Sequence, residues 1–498
     1  MEIAKLRYRF HWTIAACGAL IAWLLILFVG SDLPQTLALL TWQPEALFPV
    51  GPELLIDRFS WSYALALVTL LFSVILTDAV KNSGADWKTW SGNSAFIALG
   101  IFAVTAGNPI TLLLAWMAID IIELMILFSN LPQSTMREKV VVTFSARTFS
   151  SFLVIVAVIL SAAQGQDLTF LRISNEASVA LLLAAGLRLG VVPIHIPLTQ
   201  SLPLGRGLGT ISRSVPTAAG LILLVRTASV QQPFDLTTIF LGLAAIALIY
   251  GGVSWLSAKD QLDGQPAWIL SMAALSLASA VRGEPLASIS WGLSGLLGGG
   301  LLFLFSARNR WVIWLPLAGL IAMSALPYTP NWNGAKLYSQ PFNIMFIPIL
   351  LGQALLLAGY ARHALHSQND IDTSERWIKI IYPLGLFLLL GILFSLGLLF
   401  SPSAQTIPLL GWFAGVIASG LAVLLFFWAS HWKAIPPDWV AGVNSFISFH
   451  WLYKGIWALY RFIGRILGIF TRLLEGEGGI IWAILLMGLL YSYLARMN

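Results

Sequence analysis

Charge is what this chain has least of. Asp, Glu, Lys and Arg make up 10% of its 498 residues, against 58% hydrophobic ones, which is too little to cover a soluble globule of this size. Polar linkers between domains are also lacking, while apolar runs of about 20 residues, the length of a membrane helix, recur from one end to the other. Cysteine occurs once, as Cys17 in the first apolar run, which excludes a disulfide framework and a thiolate metal site. No Gly-rich phosphate loop, metal-ligand cluster or Ser/His/Asp constellation is present. The sequence therefore predicts no active site in this chain alone and no cofactor, leaving enzymatic work only as a subunit of a larger translocating oxidoreductase.

The formal net charge of +6 comes from short Lys/Arg clusters between apolar runs, without a basic domain or an aromatic-basic module. That distribution excludes nucleic acid and points to membrane topology. Lys5, Arg7 and Arg9 precede the first run, roughly 12–30, and the following loop carries Asp32, Glu45, Glu53 and Asp57 against Arg58. The expectation is an uncleaved first helix with a cytoplasmic N-terminus in a bacterial plasma (inner) membrane.

Further spans are predicted near 60–80, 94–107, 109–129, 141–163, 178–198, 207–229, 236–257, 266–282, 286–306, 311–327, 342–361, 377–400, 405–428 and 478–495. The fold class is all-α, a polytopic membrane helical bundle of about 14–15 transmembrane helices, because backbone groups at bilayer depth must bond within a helix. Residues 1–440 form the expected membrane domain, 441–474 an amphipathic interfacial helix, and 475–498 a C-terminal span. In the interfacial segment Lys454, Arg461, Arg465 and Arg472 are spaced 7, 4 and 7 residues apart. At 100° per residue they share one stripe suited to lipid headgroups; the alternative is a span whose basic side packs on a partner. Two stretches break the helical pattern within apolar sequence: Val192–Pro193 through Gly205, and Leu326–Pro327 through Gly334. They read either as interhelical turns or as broken helices bordering an ion site.

An ionisable group within a span costs at least a few kcal/mol and is a functional candidate by default. Asp120 and Glu123 lie three apart and share a helix face, either as a proton- or cation-holding pair or as wet helix-end groups beside Arg137 or Lys139. Arg147 and Arg188 are the matching cations. A guanidinium keeps its charge, so Arg188 can bias a neighbour without relaying protons. His195 follows the first break as a proton carrier or a hydrogen-bonding residue, and Lys336 follows the second as a relay group or an interface anchor.

Over roughly residues 95–345, the segments GNPITLLLAWMAID, FSARTFSSFLVIV, DLTF, RLGVVPIHIPL, AAGLILLVR, GGGLLFLF and LPYTPNWNGAKLY resemble, in order and spacing, the antiporter-like membrane subunits of respiratory complex I, its relatives and the multisubunit cation/proton antiporters. The resemblance implies two inverted five-helix repeats, a broken helix in each, and a polar midplane axis of Lys, Glu and His. Departures thin that axis. The family's glutamate after tryptophan falls on Met117, with Asp120 a turn further on. Its lysine falls on Arg188 while Pro193 and His195 keep the P-x-H pair, its aspartate after Arg147 falls on Ser150, a histidine falls on Ser212 beside Arg213, and the central histidine and lysine fall on Gly295 and Gly299. The resemblance implies a membrane subunit of a proton- or cation-translocating complex, with Asp120, Glu123, Arg147, Arg188, His195 and Lys336 as pathway candidates and other membrane subunits as partners. The alternative is a non-conducting anchor subunit of such a complex or of a carbon-uptake complex. A solute transporter is disfavoured by the lack of a substrate cage beyond the two breaks.

Overall fold

The structure is a computed structural model; it describes residues 2–39, 51–80, 87–130, 134–195, 204–230, 236–308, 311–339, 341–365, 369–370, 375–400, 409–431, parts of 455–468, and 482–490. The chain divides into two compact units, Met1–Ile447 and Ser448–Asn498. The first is an all-α bundle: α1 (Glu2–Val29), α2 (Arg58–Thr77), α3 (Trp87–Val104), α4 (Pro109–Asn130), α5 (Ser134–Ala163), α6 (Asn175–Arg188), α7 (Arg206–Val230), α8 (Thr237–Ser257), α9 (Gln265–Val281), α10 (Pro285–Leu293), α11 (Gly299–Leu304), α12 (Trp314–Met323), α13 (Phe346–Leu365), α14 (Arg376–Leu399) and α15 (Leu409–His431). Among the described residues, nine helices are long and apolar enough to cross a membrane, as an integral membrane protein requires.

Local chemistry sets the helix starts. Asp57 and Ser60 form a reciprocal capping box before α2: Ser60 N–H donates to Asp57 Oδ1 at 2.7 Å, and Asp57 N–H donates to Ser60 Oγ at 2.8 Å. Pro285 opens α10 where its missing N–H would have no helical partner. One feature is absent from the sequence reading: β1 (Gln35–Ala38) pairs antiparallel with β2 (Glu53–Ile56). This ribbon is tied to the bundle through Arg226 of α7, which donates to Leu55 O at 3.3 Å, stands 3.9 Å from Asp57 Oδ2 and lies over the Phe170 ring.

Helix α7 is the buried axis, in contact with α2, α3, α6, α9 and α10. Beside it, α8 packs closely on α9 and α13 because glycines remove side chains from the crossings. A Cβ on Gly251 would lie 2.4 Å from Ser271 Oγ, and one on Gly352 2.4 Å from Leu248 Cγ. In lipid, where apolar burial between helices gains little, this backbone proximity supplies the packing.

Helix stops at both anticipated stretches, of which residues 196–203 in the first lie outside the described residues. After Arg188 the chain leaves helix through Gly190 at φ 80°; Val191 and Val192 N–H both donate to Gly186 O, and His195 N–H donates to Gly190 O at 2.9 Å. The predicted span 178–198 therefore ends as helix at Arg188. Likewise α12 stops at Met323, inside the predicted 311–327, and helix resumes as a 3₁₀ segment, Trp332–Tyr338. A third irregularity was not expected. The predicted span 286–306 contains a π turn, Ser294–Gly298, between α10 and α11, a geometry frequent at functional or formerly functional positions.

In the second unit, described residues between 455 and 468 and Trp482–Leu490 are helical. Arg461 and Arg465 are exposed in helical geometry; Lys454 and Arg472 lie outside the described residues.

Candidate functional site

The first break brings four of the predicted charges together. Arg188, the last residue of α6, grips Asp120 of α4 bidentately: Nη2 donates to Oδ1 at 2.8 Å and Nη1 to Oδ2 at 3.0 Å. Arg147 of α5 stands with Nη1 3.6 Å from Asp120 Oδ1 and donates to Glu123 Oε2. All four side chains are at most 6% exposed. The arrangement alternates Glu123, Arg147, Asp120, Arg188 and is formally neutral, the condition under which charges persist at this depth. The Arg188 guanidinium also stacks 4.2 Å from the Trp116 ring centre, adding cation–π attraction to the salt bridge.

This geometry explains the displaced carboxylate. Met117, directly after Trp116, is 49% exposed, whereas Asp120, three residues on, is 5% exposed and faces Arg188. Asp120 and Glu123 pair with the buried Arg188 and Arg147; the side chains of Arg137 and Lys139, the alternative partners, lie outside the described ones. A narrow opening with a cavity volume of about 10 Å³ borders the cluster, lined among others by Asp120, Glu123, Thr143 and Arg147.

His195 is buried, with Nδ1 2.9 Å from Pro193 O, and lies within electrostatic range of Arg147. Arg213 of α7, noted in the sequence only as the neighbour of Ser212, donates to Gln265 Oε1 at 2.6 Å and Leu262 O at 3.3 Å. With Asp263 and Gln265 it lines a second narrow opening, of about 20 Å³. Ser150 turns its hydroxyl onto Arg147 O, so it replaces the expected aspartate by a helix-internal hydrogen bond. Lys336 is not brought to the cluster. It stands partly exposed on the 3₁₀ segment beside Glu284, and that segment packs on α10, α15 and α9, none of which carries one of the four charges.

The centre of the second half is filled by aromatic rings. Trp268 Nε1 donates to Gly295 O at 3.0 Å in the π turn, and a Cβ on Gly299 would lie 2.4 Å from the same nitrogen. Around Trp268 stand Trp255 at 5.5 Å, Tyr360 at 5.4 Å and Phe303 at 6.5 Å between ring centres. Tyr360 donates to Gly298 O at 3.2 Å, and His363 packs 4.2 Å from Trp255. Both tryptophans are fully buried. Glycine at 295 and 299 was legible in the sequence; that Met272 packs against the first and the Trp268 indole fills the space beside the second was not, because both belong to another helix.

Among the titratable groups outside the spans, Asp78 and Glu284 are perturbed by burial. Burial pushes the Asp78 carboxyl, after α2, up to about 6, against the lowering effect of the Trp90 indole, which donates to it at 3.2 Å. Burial also raises Glu284, opposed by Lys336, Ser339 and Arg282. Among the described residues no three His, Cys, Asp or Glu side chains converge as a metal site.

No sequence-family profile matches the chain, and no curated protein does. Solved structures do. The chain is similar in fold to a chain of the Mrp complex from Dietzia sp. DQ12-45-1b, with a TM-score of 0.66 and 14% identity over 98% of this chain and 60% of that one. It thus spans about 60% of the length of the Mrp chain. It is also similar to a chain of the membrane-bound sulfane sulfur reductase, an archaeal respiratory membrane complex, with a TM-score of 0.61 and 15% identity over 96% of both chains. The chain shares the fold of both, at 14% and 15% identity.

Proposed function

We propose that this chain is a membrane subunit of a multisubunit proton- or cation-translocating complex, held in a bacterial inner membrane with its N-terminus cytoplasmic, whose own central path is closed. The observation that carries this reading is Trp268 seated against Gly295 and Gly299. A relay through that point needs titratable atoms or water, and packed rings leave room for neither. The Asp120–Arg188 and Glu123–Arg147 pairs then act as a buried ionic clasp joining α4, α5 and α6. Arginine suits a clasp because it keeps its proton where lysine would release it on desolvation.

The test is purification of the native tagged protein in mild detergent, identification of stoichiometric partners, and ion-flux measurement on the reconstituted assembly. The charge-neutral double variants Asp120→Asn/Arg188→Gln and Glu123→Gln/Arg147→Gln are expected to assemble and leave flux within about twofold of the parent, a change of about 0.4 kcal/mol in barrier. Loss of flux from an intact assembly overturns the closed-path reading. The narrow opening beside Asp120 and Glu123 favours a second reading, in which ions exchange at the first-half carboxylates while the centre stays shut. Flux lost with these pairs yet unaffected by opening the Trp268 position is its signature.

A further inference from the structure

Past the π turn, α11 keeps six residues, well short of the ~12–15 that a helix needs to hold itself, so its position is set by side chains reaching it from neighbouring helices. Trp268 donates to Gly295 O and Tyr360 to Gly298 O within the turn. At the far end, Tyr382 of α14 accepts the Ser306 and Ala307 N–H groups at 2.7 and 2.9 Å. Arg206, the first residue of α7, is the charged member of this set. Its Nη1 donates to Phe303 O at 3.0 Å, Phe305 O at 3.3 Å and Gln261 Oε1 at 3.2 Å. A cation at a helix C-terminus satisfies carbonyls that the ladder leaves open and meets the negative end of the helix dipole.

The backbone that Arg206 grips belongs to the closed centre. Phe303 presents its ring edge-on to Trp255 at 6.2 Å and to Trp268 at 6.5 Å between ring centres. A Cβ on Gly299 would lie 2.4 Å from Trp268 Nε1 and 3.1 Å from Phe303 Cε2, so the rings fit only while α11 keeps its place. Gln261 extends the grip, because its Nε2 donates to His363 O at 3.1 Å on α13, the helix that carries Tyr360.

We propose that Arg206 is the positioning residue of the closed centre: its guanidinium caps α11 and keeps Phe303 and Gly299 against Trp268. This role rests on the closed-path reading, and two readouts on the full-length protein in liposomes separate them. Cys17, the single cysteine, is exposed and is removed as Cys17→Ser; Ser294→Cys then places a thiol in the π turn at a fully buried position. Maleimide labelling of that thiol reads the seat of α11, and passive proton leak reads the closed centre. Arg206→Gln is expected to speed labelling at least about 10-fold, the factor that loss of one charge-assisted hydrogen bond gives, and to open a leak. Arg206→Lys keeps the charge without the fork and is expected to fall between the two. Arg226→Gln, which removes a buried arginine near the opposite end of α7, is expected to destabilise the fold and to leave both readouts at the parent level. Unchanged labelling in Arg206→Gln, equal acceleration in Arg226→Gln, or a leak in Trp268→Ala that Arg206→Gln lacks overturns the proposal. If Trp268→Ala stays tight, the closed-path reading fails, while labelling still decides whether Arg206 seats α11. Should Arg206→Gln not fold, Arg206→Lys decides, and labelling at the parent rate overturns the role.

Discussion

The interior beside α4, α5 and α6 and the interior around the π turn occupy the two halves of one fold, yet they are filled by opposite means. In the first, Asp120, Glu123, Arg147 and Arg188 are buried with alternating sign. In the second, Trp268 enters the space that Gly299 leaves and Met272 packs against Gly295. The first is held by directional ion pairs that fail if one member is removed; the second is held by shape and by one indole hydrogen bond. An interior at membrane depth can be filled either by charges of alternating sign or by packed rings.

The largest expected break in this comparison is Arg188→Ala, which leaves Asp120 without its bidentate partner. Stranding one charge of a buried pair costs about 3–5 kcal/mol, so thermal melting in detergent should show severe loss of stability. Asp120→Asn/Arg188→Gln should recover most of it. Equal damage from the single and double variants refutes the clasp.

Trp268→Ala tests the other half. Emptying a packed aromatic site costs about 3–5 kcal/mol, and it should also open a passive proton leak in liposomes that the parent lacks. A stable variant that remains tight shows that the rings are not the barrier. Trp268→Phe keeps most of the volume and loses the bond to Gly295 O, for about 1 kcal/mol and no leak.

A further effect lies outside both interiors, at Asp78. Its carboxyl is raised by burial to about 6, so the folded state binds a proton more tightly than the unfolded state. Stability is therefore greatest below the unfolded value of about 4 and falls as pH rises through about 6. Asp78→Asn removes that penalty while retaining an acceptor for Trp90. It should raise stability by about 1–2 kcal/mol at pH 7.5 and by almost nothing near pH 4. A gain independent of pH refutes the assignment.

Composition alone determined the membrane class: 10% charge over 498 residues permits little else. Periodicity and prolines located the helices and both breaks, because a missing N–H or a left-handed glycine acts within a few residues of its own position. The four buried charges were also readable one by one, since each stands out against apolar neighbours. What the sequence did not determine was partnership. Asp120 and Arg188 are 68 residues apart, and their bidentate grip depends on where α4 and α6 meet. Trp268 looked like any aromatic residue in an apolar run, and only tertiary packing placed its ring over Gly299. The β1–β2 ribbon escaped notice because four-residue strands carry too few alternations to stand out. Local rules reach only about one helical turn along the chain, whereas neutralising a buried charge or filling a void is decided by atoms brought together from distant helices.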